Sequence, residues 1–225
     1  MSWKLAYAIV AAPVLSVCSA GVAHAYAVYG DIGNIYEAEG RERGELGAPT
    51  SDEQPFGTSG DRMNYFEHGY ILWWRANRET LVHVYDRRFT YRIPVINFEG
   101  PDPVGGHDVT LTITSNGVYN FSGRFHSAAA IFNPIPESTH ITVAIRSPNG
   151  IAYTFANHGS VSAFSRNHEW NESGQNGALA SGWSDLQHGG VRFAWQASTR
   201  IPISDIFDWV FKAFGAVTTV LSVIG

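Results

Sequence analysis

From Thr110 onward the chain alternates apolar and polar residues with a period of two, which predicts half-buried β-strands. Leu111 and Ile113 share one face of the stretch Thr110–Thr114 and the threonines the other. Ser115-Asn116-Gly117 then supplies residues that tolerate positive φ, and Val118 to Ser122 returns, a strong short-range hairpin signal. The device recurs at Ile141, Val143 and Ile145, the turn Pro148-Asn149-Gly150, and Ile151, Tyr153 and Phe155. Val191, Phe193, Trp195 and Ala197 predict another such strand, and Ala128–Phe132 and Val161–Phe164 add two more. Short strands with regular turns predict an antiparallel β-sandwich or small barrel over residues 107–200. One interruption, Gly177 to Leu186, predicts a short helix starting near Asn176, and 167–177 reads as a long polar loop.

The flanks have other textures. Tyr26 to Arg78 is dense in glycine, acids, arginines and aromatics, in the predicted order helix, turn, loop, strand. Glu79 to Gly106 begins strand-like and ends in Pro101, Pro103, Gly105 and Gly106, the best boundary between a region 26–100 and the β domain. Residues 203–225 predict an apolar helix, with Ser204 as N-cap and Asp205 and Asp208 in its first turn. A helix apolar on every side must bury itself against this protein's own sheets, an envelope lipid or a partner chain. About nineteen residues that include Asp208 and Lys212 are a poor membrane span. The expected fold is therefore mainly β with a C-terminal helix, a small α+β unit preceding the β domain.

Met1 to Ala25 reads as an export signal: Lys4, an apolar stretch Leu5–Val17, then Ala23-His24-Ala25 as a cleavage pattern. The lone cysteine, Cys18, lies within it, so the exported protein is expected to hold its core without disulfides. The formal charge of the 225 residues is −5, and losing Lys4 makes it one unit more negative. That balance argues against nucleic acid as a partner.

Gly44-Glu-Leu-Gly47 leads into Ala48-Pro49-Thr50-Ser51-Asp52-Glu53, and Gly60-Asp61-Arg62-Met63-Asn64-Tyr65-Phe66 into Glu67-His68-Gly69-Tyr70-Ile71-Leu72-Trp73-Trp74. This segment, from Gly30 to Trp74, resembles the LGFP repeat of actinobacterial cell-wall proteins. The resemblance implies attachment to the cell envelope, with wall polysaccharide or peptidoglycan as partner. In the family the repeat often stands in tandem arrays beside an enzyme. Here there is one copy, which is expected to pack on the β domain because repeat units need neighbours to bury their faces. Glycine and proline shape the turn at Leu46–Pro49, and Thr50, Ser51 and Asp52 are placed to cap its free amides, with Glu53 as reciprocal partner. Adjacent tryptophans on a strand face opposite ways, so Trp73 and Trp74 cannot both enter one core. The candidate ligand-binding residues are Tyr36, Arg62, Trp73, Trp74 and Arg75, which offer aromatic faces and guanidinium groups to sugars and wall anions. Trp170, Asn171 and Glu172 form a secondary candidate, amide and carboxylate groups around an indole.

Catalytic signatures are scarce. There is no G-x-S-x-G elbow, no H-E-x-x-H and no cysteine outside the signal, so no catalytic residue, metal ligand or cofactor is assigned. Glu169 with Glu172, or Asp102 with Asp108, are the acid pairs from which a glycan hydrolase would be built. The sequence thus points to an exported, envelope-associated, non-enzymatic binding protein. Its rivals are a glycan hydrolase and a membrane-active effector using Ile206 to Ile224.

Overall fold

The computed structural model describes residues 26–97, 104–127, 137–162, 166–187, 191–198 and 206–224. The export signal, the strand expected at Ala128–Phe132, Pro101 to Pro103 and the Ser204 cap lie outside them. Helix α1 (Gly30–Ala38) and a 3-10 turn at Arg41–Arg43 come first. The strands β1 (Gln54–Phe56), β2 (Asp61–Phe66), β3 (Gly69–Trp73), β4 (Thr80–Val84), β5 (Arg88–Asn97), β6 (Val104–Thr114) and β7 (Val118–Ser127) follow as an antiparallel meander. Then come β8 (Glu137–Arg146), β9 (Ile151–Val161), β10 (Asn167–Gln175), α2 (Gly177–Leu186), β11 (Arg192–Ser198), α3 (Ile206–Phe214) and β12 (Thr219–Ile224). Strands β1 to β7 and then β10 make an eight-stranded sheet, and β11-β8-β9-β12 a second of four. Neither sheet closes into a barrel.

The core follows the alternation. Leu111, Ile113, Phe121 and Phe125 from the large sheet meet Ile141, Val143, Ile145, Tyr153 and Phe155 from the small one in one buried cluster. Ala144, on the opposite face of β8, packs instead on Val210 and Phe214 of α3. The small sheet is thus covered on both faces. Both expected hairpins form, with Gly117 at φ 78° and Gly150 at φ 95°, values a side chain would resist. Helix α2 begins where expected: Asn176 Oδ1 accepts from the amides of Ala178 (2.9 Å) and Leu179 (3.3 Å).

Three expectations are corrected. The sheet runs unbroken through the expected boundary, since β5 pairs with β6 from Arg88↔Thr114 to Asn97↔Gly105. Gly105 and Gly106 are strand residues at a tight crossing, not linker: a Cβ on Gly105 would sit 2.8 Å from the His126 ring. The expected loop 167–177 is largely strand β10, paired with β7 at nine successive positions from Asn167↔His126 to Gln175↔Val118. The helix expected over 203–225 ends at Phe214, where Gly215 turns left-handed at φ 74°. Beyond it the β-branched Thr219, Val220, Val223 and Ile224 form β12, parallel to β9. That strand covers an edge of β9 that would otherwise expose unpaired backbone groups.

Candidate functional site

The repeat-like segment supplies helix α1 and strands β1 to β3 of the large sheet. Its turn is built differently from expectation. Gly47, at φ 74°, and its neighbours are held by Glu67, whose Oε2 accepts from the Ala48 amide at 3.0 Å. Ser51 Oγ accepts instead from the Tyr65 amide (3.2 Å), Asp52 from the Ala27 amide (3.0 Å), and Glu53 pairs with Arg62 (2.7 Å). Tyr36 is corrected from ligand surface to core: it is 4% exposed, lies 4.6 Å from the Phe66 ring, and donates to the Gly47 carbonyl at 3.0 Å.

Strand parity separates the two tryptophans. Trp73 packs on the face covered by α1, with Ile32, Leu46, Phe66 and Ile71. There it lines a hollow of about 290 Å³ with Tyr29, Asp31, Glu53 and Arg62. Its indole Nε1 is buried without a hydrogen-bond partner. Arg75 is exposed; its amide donates to Asp61 Oδ1 at 2.9 Å, which fixes the turn after β3.

Trp74 points the other way, into a cleft of about 540 Å³ between the large sheet and the C-terminal elements. Phe56, Leu72 and Trp74 form one wall and Val191, Phe193 and Phe214 the opposite one. Trp74 meets Tyr91 edge-on at 6.0 Å, and Tyr91 stacks on Phe193 at 4.7 Å. Among the described residues lining the cleft the one acid is Glu79, only 8% exposed. Three neutral donors hold its carboxylate. Trp195 Nε1 and Asn77 Nδ2 donate to Oε1 at 2.6 and 2.9 Å, and the Tyr91 hydroxyl donates to Oε2. Burial first, and then the neighbouring Glu79 charge, push the Tyr91 hydroxyl well above its usual range, so it stays protonated and donating. No ion pair among the described residues includes Glu79, although arginine meets Asp31, Glu39, Glu45 and Glu53 elsewhere in this half of the molecule. Arg192 stands exposed on the cleft's lining, beyond ion-pair distance.

The secondary candidates are split by the strand they occupy. Trp170 is 7% exposed and lies against Phe125 at 4.8 Å, its ring filling the space left open by Gly123. Asn171 points outward and accepts from Asn120 Nδ2, while Glu172 accepts from Asn157 Nδ2 at 2.6 Å. Glu169 and Glu172 are an odd number of strand positions apart and face opposite sides, so that acid pair does not assemble. Asp102 lies outside the described residues. Among the described residues no group of three or more histidines, cysteines or acids is placed to hold a metal ion.

Sequence reasoning reached Trp74 but missed Glu79, Tyr91, Phe193 and Trp195. Phe193 and Trp195 were visible as strand residues, yet nothing local links them to Glu79, 116 positions from Trp195. No family model matches the chain, and neither does any curated protein or solved structure. The likeness to the LGFP repeat therefore rests on the motif residues alone.

Proposed function

We propose that this is an exported, envelope-associated protein that binds a wall polysaccharide without cleaving it, through the LGFP-like segment and the cleft behind it. The observation that carries the reading is the cleft at Trp74. It offers aromatic faces from Phe56, Trp74 and Phe193 around one hydrogen-bonded carboxylate, in a volume that accommodates a few sugar rings. Binding is favoured over hydrolysis because, among the described residues, Glu79 is the one acid lining this cleft, whereas glycoside cleavage ordinarily needs two facing carboxyl groups. The expected packing of a solitary repeat on the β domain also has a physical route, since β1 to β3 belong to the same sheet as β4 to β7. A membrane role for the C-terminus has less support: α3 stops at Phe214, and no described helix is long and apolar enough to cross a membrane.

The test is retention on purified bacterial wall, with soluble sugar measured in the same sample. The intact protein is expected to be retained and to release no sugar. Trp74→Ala is expected to weaken retention about tenfold while remaining folded, because a stacking face is lost. Trp73→Ala, under α1, is expected to lower stability rather than retention. Parent-like binding by folded Trp74→Ala, or release of sugar by the parent, would overturn the reading.

A further inference from the structure

Glu79 and Asp61 are the buried acids among the described residues, and Glu79 is the one that lines a cleft. Each acid in the helix-side network, Asp31, Glu39, Glu45 and Glu53, lies within ion-pair distance of an arginine. Glu79 is as secluded as any of them and, among the described residues, its carboxylate is met by an indole N–H, an amide N–H and a phenol O–H alone. Neutral donors satisfy the lone pairs of a carboxylate but leave its charge uncompensated, which in an apolar setting is costly. Two of its acceptor positions are used at Oε1 and one at Oε2, so Oε2 keeps a lone pair for one further donor. Around it stand the rings of Trp74, Tyr91 and Phe193, whose negative π faces attract cations.

We propose that the cleft recognises a protonated amine, an alkylammonium group seated on Glu79 Oε2 and ringed by Trp74, Tyr91 and Phe193. The inference rests on the glycan-binding reading only for the ligand's source: on a wall polysaccharide the group is the free amine of an amino sugar. The ammonium supplies the missing positive charge and the one missing donor together, and its carbon skeleton contacts the aromatic walls. A neutral hydroxyl would supply only the donor, and an N-acetylated amine neither the charge nor the compact shape. Arg192 sits at the exposed rim, where water and salt screen it. It opposes a cation weakly, so Arg192→Gln leaves the preference unchanged or strengthens it.

Two matched probe pairs test this on the intact protein by calorimetric titration: glucosamine tetramer against N-acetylglucosamine tetramer, and butylammonium against 1-butanol. Each cationic probe is expected to bind about tenfold more tightly than its neutral partner, the scale of one charge-assisted contact. Glu79→Gln is expected to abolish that preference. The indole N–H resonance of Trp195, bonded to Glu79, is expected to move with butylammonium and not with butanol, a readout that needs no variant. Equal binding within both pairs, a preference that survives in folded Glu79→Gln, or a Trp195 resonance unmoved by butylammonium would each overturn the inference. Equal binding of the two tetramers by a protein still retained on wall removes the amine preference and leaves glycan binding standing. A butylammonium preference in a protein that ignores wall removes the glycan source and leaves the amine site standing.

Discussion

The two faces of the large sheet handle charge in opposite ways. On the face toward α1, acids and arginines form a network: Glu39 meets Arg88 and Arg92, Glu45 meets Arg87 and Arg88, and Asp31 meets Arg78. Most of its members keep one end in water, Arg78 and Arg87 being 69% and 66% exposed, so the long guanidinium stems span the surface at small desolvation cost. On the opposite face Glu79 is enclosed by aromatic rings and tied to Trp195 of the small sheet. One face uses charge to clamp a helix onto a sheet. The other keeps a charge in reserve, held in position by neutral donors, which is how binding sites are preorganised.

The sharpest way to break that contrast is Glu79→Leu. It removes the common acceptor of two donors, the buried Tyr91 and the half-buried Trp195, and is expected to destabilise the fold by about 3–4 kcal/mol in urea titration. A loss below about 1 kcal/mol would mean that water replaces the carboxylate and that the cleft is open.

Next comes His83, on the cleft side of the sheet but deeper, 2% exposed and stacked on Phe89 at 4.2 Å. Neither ring nitrogen has a hydrogen-bond partner, and burial holds its pKa at about 4 instead of 6.5. The unfolded chain therefore takes up a proton at a higher pH than the native protein does. Stability from this residue is full above pH 6.5 and is lost as the pH falls toward 4, by up to about 3 kcal/mol. His83→Phe is expected to flatten that part of the dependence. Urea midpoints for both proteins at neutral pH and near the lower limit of the window decide it: equal losses in the two would show that His83 is not the titrating group.

The smallest effects belong to the paired face and sharpen the comparison by their ranking. Glu39→Gln, which loosens a largely buried carboxylate from two arginines, is expected to cost about 1–2 kcal/mol. Arg78→Ala, at a pair whose arginine is mostly in water, is expected to leave the melting temperature unchanged within error. The reverse order would show that α1 is held by its rim and not by Glu39.

Much of the fold was legible because it is written in neighbours along the chain. Asn116-Gly117 and Asn149-Gly150 announced their hairpins, Asn176 its helix, and period-two alternation the opposite facing of Trp73 and Trp74. Strand β10 was hidden because its inward positions are His168, Trp170, Glu172 and Gly174, of which one alone is a large apolar residue. The C-terminal strand was hidden by continuous hydrophobicity, which does not distinguish a helix from a strand. The useful signals were Gly215 and the β-branched residues after it.

The candidate site divides along the same line. By itself the sequence determined that Trp73 and Trp74 could not both enter one core and that the hairpins would form. Tertiary structure alone decided which tryptophan faced the cleft, that Tyr91 and Trp195 would both converge on Glu79, and that no described arginine would come within ion-pair distance of it. Periodicity and turn chemistry depend on residues a few positions apart. The environment of a charge depends on what two packed sheets bring within a few ångströms, and here the deciding partner lies 116 positions away.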